Sequence, residues 1–175
     1  VIDTARSLRP AAIHVVYGHG GERVRETLAK DKDMEKGEWT LQAQQLGTGH
    51  AVQQAIPKVP DGHRVLILYG DVPLLGRATL ERLVAAAGRE EVALLTMTPA
   101  DPAGYGRIVR GPEGKVQRIV EQKDASAQER AVRECNTGVM AGPARLLKQW
   151  LVNLRAANSQ GEDYLSDGVE LAVKA

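Results

Sequence analysis

Four short runs rich in β-branched and apolar residues, Ala12–Tyr17, Trp39–Ala43, Val65–Tyr69 and Val92–Met97, are separated by stretches with apolar residues at helical spacing. This alternation constrains the fold more than any other feature. A strand that leads through a helix into a second strand has to cross back over the sheet, and the helix then covers one face of it. The expected class is α/β, with a mostly parallel sheet covered on both faces. Val65–Tyr69 is the clearest buried strand. The helical stretches are Glu22–Ala29, with Val24 and Leu28 four apart, Thr48–Ile56, stopped near Pro57, and the segment around Leu80, Leu83 and Val84.

After Pro99 the pattern changes. Arg107–Arg110, the turn Gly111–Gly114 and Lys115–Val120 read as a β-hairpin inserted into the α/β pattern. Cys135–Met140 is a further strand. Leu146, Leu147, Trp150, Leu151 and Leu154 then share one face of a long amphipathic helix. Residues 31–37, rich in Lys, Asp and Glu, read as a solvated loop. Val1–Leu8 and Leu165–Ala175 read as helices without an entry cap or an exit signal, so the chain is expected to be a fragment.

The 175 residues suit one domain, 43% hydrophobic and 26% charged, with a core built without Phe. The net charge of +1, with both signs interspersed, calls for neither nucleic acid nor a membrane surface. No apolar stretch reaches the roughly 18 residues that a membrane helix needs. The single cysteine, Cys135, excludes an internal disulfide and reads as a core residue, so a cytoplasmic location is expected. The four histidines form no metal-ligand spacing, His50 reads as structural, and no Ser-His-Asp or Cys-His arrangement is supported.

In a parallel sheet, ligands bind beyond the carboxyl ends of the strands. Gly18–Gly21 precedes a helix and could cradle phosphate, but it lacks the spacing of a P-loop or a dinucleotide fingerprint, and a plain turn is the favoured reading. Gln42 and the Gly47-Thr48-Gly49 turn could match the acceptor, donor and acceptor edge of uracil; a structural turn explains them equally well. Asp71 follows the Val65–Tyr69 strand, where a carboxylate can hold Mg²⁺; its alternative is turn formation ahead of Pro73. Glu121 and Asn136, at the ends of strand-like runs, and the Gly104-Tyr105-Gly106 turn could meet sugar hydroxyls and an amide, although surface or capping roles are common for such residues.

Six strings occur in order: QAQQLGTGH from Gln42, LYGDVPLL from Leu68, GYGRIV from Gly104, IVEQKDA from Ile119, NTG from Asn136 and NSQGEDYLSD from Asn158. Together they resemble the N-acetylglucosamine-1-phosphate uridyltransferase domain of the bacterial bifunctional uridyltransferase/acetyltransferase. The resemblance covers nearly the whole chain. It implies a Rossmann-like nucleotidyltransferase fold, incomplete at the N-terminus, with residues 1–175 forming a single partial domain and no acetyltransferase β-helix domain.

The implied reaction is transfer of UMP from UTP to N-acetylglucosamine-1-phosphate with Mg²⁺ bound, giving UDP-N-acetylglucosamine and pyrophosphate. By that resemblance Gln42, Gly47 and Thr48 read uracil, and Tyr69 and Gly70 line the nucleotide and sugar site. Asp71 ligates Mg²⁺, and Gly106, Glu121 and Asn136 hold the N-acetylglucosamine moiety. The family's Gly-rich loop with its Arg and Lys, and its second metal ligand, have no counterpart here, and Asp163 and Gly168 depart from its usual residues. The 175-residue chain is therefore expected to be inactive alone and prone to self-association. Two alternatives are a related sugar-1-phosphate uridyl- or thymidylyltransferase and a non-catalytic sugar-nucleotide binding fragment.

Overall fold

The computed structural model describes residues 1–29, 37–154 and 161–174. Residues 31–36 of the expected solvated loop and 158–160 of the last string lie outside the described residues.

In chain order the elements are α1 (Ile2–Ser7), β1 (His14–Tyr17), α2 (Glu22–Ala29), β2 (Glu38–Leu41), α3 (Thr48–Ala55), β3 (Arg64–Ile67), α4 (Arg77–Ala86), β4 (Ala93–Met97), β5 (Arg107–Arg110), β6 (Val116–Val120), α5 (Ala127–Arg130), β7 (Cys135–Pro143), α6 (Ala144–Leu151) and α7 (Asp167–Lys174). Each strand and helix expected from the sequence is present, with ends displaced by a few residues. α6 is the largest departure. It stops at Leu151, yet Leu154 beyond its end is still buried in the core.

The strand directions correct the expectation of a mostly parallel sheet. Among the described residues only β1 and β2 pair in parallel, His14 opposite Glu38 through Tyr17 opposite Leu41. In the five-stranded sheet every pairing is antiparallel. The reason is β7. Its Met140 and Ala141 pair with Ile67 and Leu66 of β3 on one edge and with Leu94 and Ala93 of β4 on the other. β3 and β4, joined through α4, do run in the same direction, as a crossover requires. The later strand lies between them, reversed, and takes up the hydrogen bonds of both.

β7 also divides the core. Alternate residues of a strand face opposite sides of a sheet. Val139 and Ala141 pack with Leu80, Leu83 and Ala87 of the α4 segment. Met140 points the other way, into Ile56, Ile108, Ile119, Leu147, Leu151, Leu154, Leu165 and Val169. Helices thus cover both faces, as expected. Burying a Leu such as Leu80 or Leu147 stabilises by about 1.5–3 kcal/mol, and these aliphatic side chains supply the volume that Phe would otherwise fill. Among the described residues, β1 and β3 each hydrogen-bond to a strand on one side only.

Candidate functional site

The site forms where three chain segments meet beyond the ends of β2 and β3 and the start of β7. The first segment is the loop from β2 into α3. Gln42 is tied down by its own N–H, which donates to the Tyr17 carbonyl at 2.8 Å. Its side chain reaches forward, and Nε2 donates to the Gly47 carbonyl at 3.0 Å. The N–H groups of Gly47 and Thr48 accept no such duty: neither donates to another described residue.

Gly47 is required by the geometry. Its φ is +114°, and a Cβ there would lie 2.6 Å from the Asp163 carbonyl oxygen. That close approach is a clasp. Gly49 N–H donates to the Asp163 carbonyl at 2.7 Å, and Asp163 N–H donates to the Leu46 carbonyl at 2.7 Å. Leu165 N–H then donates to the Thr48 hydroxyl at 3.0 Å. The segment before α7 is fixed through backbone atoms of Asp163, so its departure from the family's usual side chain leaves this contact intact.

The second segment leaves β3 through Tyr69, Gly70 and Asp71. Tyr69 is half-buried and joins the two sides of the site. Its hydroxyl lies beside that of Thr48. Its ring lies over Gly138, where a Cβ would come within 2.7 Å of the ring edge. Burial pushes the Tyr69 phenol above its ordinary pKa, the Thr48 hydroxyl opposes this, and the negative charges of Glu121 and Asp71 add to it. Gly70 and Asp71 are exposed, and open space surrounds the Gly70 Cα.

The third segment gathers Gly106, Glu121 and Asn136. Asn136 N–H donates to the Gly106 carbonyl at 2.8 Å, and its Oδ1 accepts from Gly138 N–H at 3.0 Å. A Cβ on Gly106 would stand 3.0 Å from Oε1 of Glu121. The structure therefore brings all of these together: Gln42, Gly47 and Thr48 on one side, Gly106, Glu121 and Asn136 on the other, and Tyr69 between them. Gly18, by contrast, faces the Gln45 side chain, and Gly21 N–H closes a turn on the Gly18 carbonyl at 3.0 Å, so the first glycine loop is a turn packed on its neighbour.

No group of three or more His, Cys, Asp or Glu able to hold a metal occurs among the described residues. Asp71 offers one exposed carboxylate. That donor set fits Mg²⁺, a hard cation that takes one or two carboxylates and completes its shell with phosphate oxygens and water.

Comparison with known proteins gives a family match to the MobA-like NTP transferase domain over residues 1–156. The chain belongs to this family. Among curated relatives it is 56% identical over 173 residues to the "Bifunctional protein GlmU" of Azoarcus sp. (strain BH72), covering 99% of this chain and 37% of the relative. It is 53% identical over 175 residues to the protein of that name from Paraburkholderia phymatum, covering 100% of this chain and 38% of the relative. The chain thus spans little more than a third of the length of these relatives. The likeness drawn from the six strings is borne out. The fold also matches a solved UDP-glucose pyrophosphorylase in complex with UDP-glucose, with a TM-score of 0.71, 12% identity, and coverage of 99% of this chain and 73% of that one.

Three further residues brace this candidate site, and the sequence singles out only His50 among them, as structural. Ser166 is buried and donates its hydroxyl proton to Oε1 of Glu121 at 2.9 Å. Arg107, only 2% exposed, donates to the Tyr105 carbonyl and, at 2.7 Å, to Oε1 of Gln122, holding the Gly104–Gly106 turn to the end of β6. His50 contacts the side chain of Gln42, Nδ1 to Nε2, at 3.0 Å. Ser166 lies in the last of the six strings, Arg107 in the third and His50 in the first.

Proposed function

We propose that the chain is the uridyl-transfer part of a UDP-N-acetylglucosamine pyrophosphorylase, moving UMP from UTP to N-acetylglucosamine-1-phosphate. The observation that carries this reading is Tyr69, which contacts the base-side loop at Thr48 and the sugar-side strand at Gly138. The 53–56% identity to bifunctional relatives supports the choice of sugar.

The chemistry follows from the groups present. The free N–H groups of Gly47 and Thr48 are donors and Gln42 Oε1 is an acceptor, which complements uracil's acceptor, donor and acceptor edge. Glu121 and Asn136 hold the amide and hydroxyls of the sugar, and Gly106 leaves room for it. A phosphate oxygen of the sugar-1-phosphate attacks the α-phosphorus of UTP. The new P–O bond forms as the bond to the β-phosphate bridge breaks, and pyrophosphate leaves with that electron pair. No protein nucleophile is needed, because such transfers rest on positioning and charge neutralisation. Asp71 would hold Mg²⁺, which supplies positive charge against the phosphates.

The two charges felt at Tyr69, those of Glu121 and Asp71, are both negative. A triphosphate would add further negative charge beside these two carboxylates, and the 175-residue chain alone is expected to bind without turning over. The one-sided edges of β1 and β3 are where a second copy would associate. Pyrophosphate release tests the activity, using an intact protein that carries this chain, Mg²⁺ and UTP, and a panel of hexose-1-phosphates. N-acetylglucosamine-1-phosphate is expected to be the best acceptor. Preference for glucose-1-phosphate, or for dTTP over UTP, would replace the reading with that of a related transferase.

A further inference from the structure

His50, in the first turn of α3, has a glutamine amide against each ring nitrogen. Nδ1 lies 3.0 Å from Nε2 of Gln42, and Nε2 lies 3.1 Å from Nε2 of Gln54. Gln42 Nε2 also donates to the Gly47 carbonyl at 3.0 Å. An amide nitrogen carries two protons, and the Gly47 carbonyl and His50 Nδ1 take up both. Turned over, Gln42 would set Oε1 against the Gly47 carbonyl oxygen, two acceptors with no proton between them. The Gly47 carbonyl and His50 Nδ1 together hold Gln42 in this orientation, which requires a bare Nδ1 on His50. A neutral imidazole with a bare Nδ1 carries its proton on Nε2. That proton meets the Gln54 amide, so Gln54 has to turn its oxygen to the ring and swing clear of the His50 carbonyl; its 3.2 Å contact there is longer than the 3.0 Å contact of Gln42 with Gly47 and yields first.

We infer that His50, as the Nε2–H tautomer, is a positioning residue that locks the Gln42 carboxamide and so sets the discrimination of uracil from cytosine. The inference rests on the base-reading role proposed for Gln42. With Nε2 doubly engaged, Oε1 is the atom of Gln42 left for a ligand. Uracil presents N3–H to such an acceptor, whereas cytosine presents a bare N3 that repels it. A Gln42 free to turn over would accept either base. Gln42 is 9% exposed, so water repairs a mismatch there poorly.

The test uses the 175-residue chain and measures dissociation constants for UTP and CTP in the wild type, His50→Leu and His50→Asn. Asn can place its Oδ1 near the position of Nδ1 and still accept from Gln42. The wild type is expected to prefer UTP, His50→Leu to lose about tenfold of that preference, the weight of one net hydrogen bond, and His50→Asn to keep it. The ¹⁵N shifts of the wild-type ring are expected to show Nδ1 bare and Nε2 protonated, a readout that survives if a variant fails to fold. Unchanged preference in His50→Leu, equal loss in both variants, or an Nδ1–H tautomer overturns the inference while leaving Gln42 as the base reader. A wild type that binds UTP and CTP alike overturns the Gln42 role and this inference with it.

Discussion

Ser166 donates its hydroxyl proton to Oε1 of Glu121 at 2.9 Å, and a Cβ on Gly106 would touch that same oxygen. One carboxylate is thus held between the segment leading into α7 and the start of β5. Neither Glu121 nor Asp71 is bonded to a Lys or Arg among the described residues, so Ser166 is the group that aims Glu121.

Ser166→Ala should therefore weaken the sugar contact and spare the base contact. The expected loss is about tenfold to a hundredfold in affinity for UDP-N-acetylglucosamine, the range of one hydrogen bond to a charged group, with affinity for UMP unchanged. Parallel titrations with the two ligands check it. Equal losses for both would mean that Ser166 supports the fold rather than Glu121.

Gly47→Ala tests the clasp. The new Cβ meets the Asp163 backbone at 2.6 Å, and the φ of +114° adds backbone strain. The expected destabilisation is about 2 kcal/mol or more, read from denaturant unfolding. Gly62→Ala, at a site with open space around it, is the control and should change stability little.

Tyr69 should ionise late. Its phenol is raised above the ordinary 10.0, mainly by burial. Since the folded state holds the proton more tightly than the unfolded chain, this stabilising contribution is complete below the unfolded pKa and is lost as pH rises through the folded one. Burial also raises the Tyr164 phenol, so an ultraviolet titration should show two late tyrosines, of which Tyr69→Phe removes one. Thr48→Val should move the Tyr69 fraction later still, because the Thr48 hydroxyl lowers the value. A Tyr69 that ionises at the ordinary tyrosine value would contradict the packing described.

Asp71→Asn should separate chemistry from binding. In an intact protein carrying this chain, turnover at saturating Mg²⁺ is expected to fall about 10²-fold or more, by analogy with other lost electrostatic stabilisers. Nucleotide affinity without Mg²⁺ should hold. Near-normal turnover would remove Asp71 from the metal site.

Much of this was legible in the sequence because local pattern carries it. Period-two and helical spacings located the strands and helices, and the glycine at 47 announced a special backbone. The sheet's directions were not legible, because β7 enters between β3 and β4 from about 40 residues beyond β4, and nothing in Ala93–Met97 records which neighbour it will have. Arg107 reads as one residue of a hairpin strand; its burial depends on the Tyr105 carbonyl and Gln122 meeting it in space. Ser166 and His50 act through partners 45 and 8 residues away in the chain, and a side chain's partner leaves no mark on the side chain's own position.

The central claim is that one site spans the Gln42–Thr48 loop and the Gly106, Glu121 and Asn136 group with Tyr69 between them. The most direct measurement is an amide chemical-shift map of the 175-residue chain titrated with UDP-N-acetylglucosamine. The account predicts perturbations confined to Gln42–Gly49, Tyr69–Asp71, Gly106, Glu121, Asn136–Gly138 and Asp163–Ser166, with UMP reproducing only the first two groups. Perturbations confined to the Gly18–Gly21 turn or to the outer surface of α4, or none at ligand saturation of an intact relative, would contradict it.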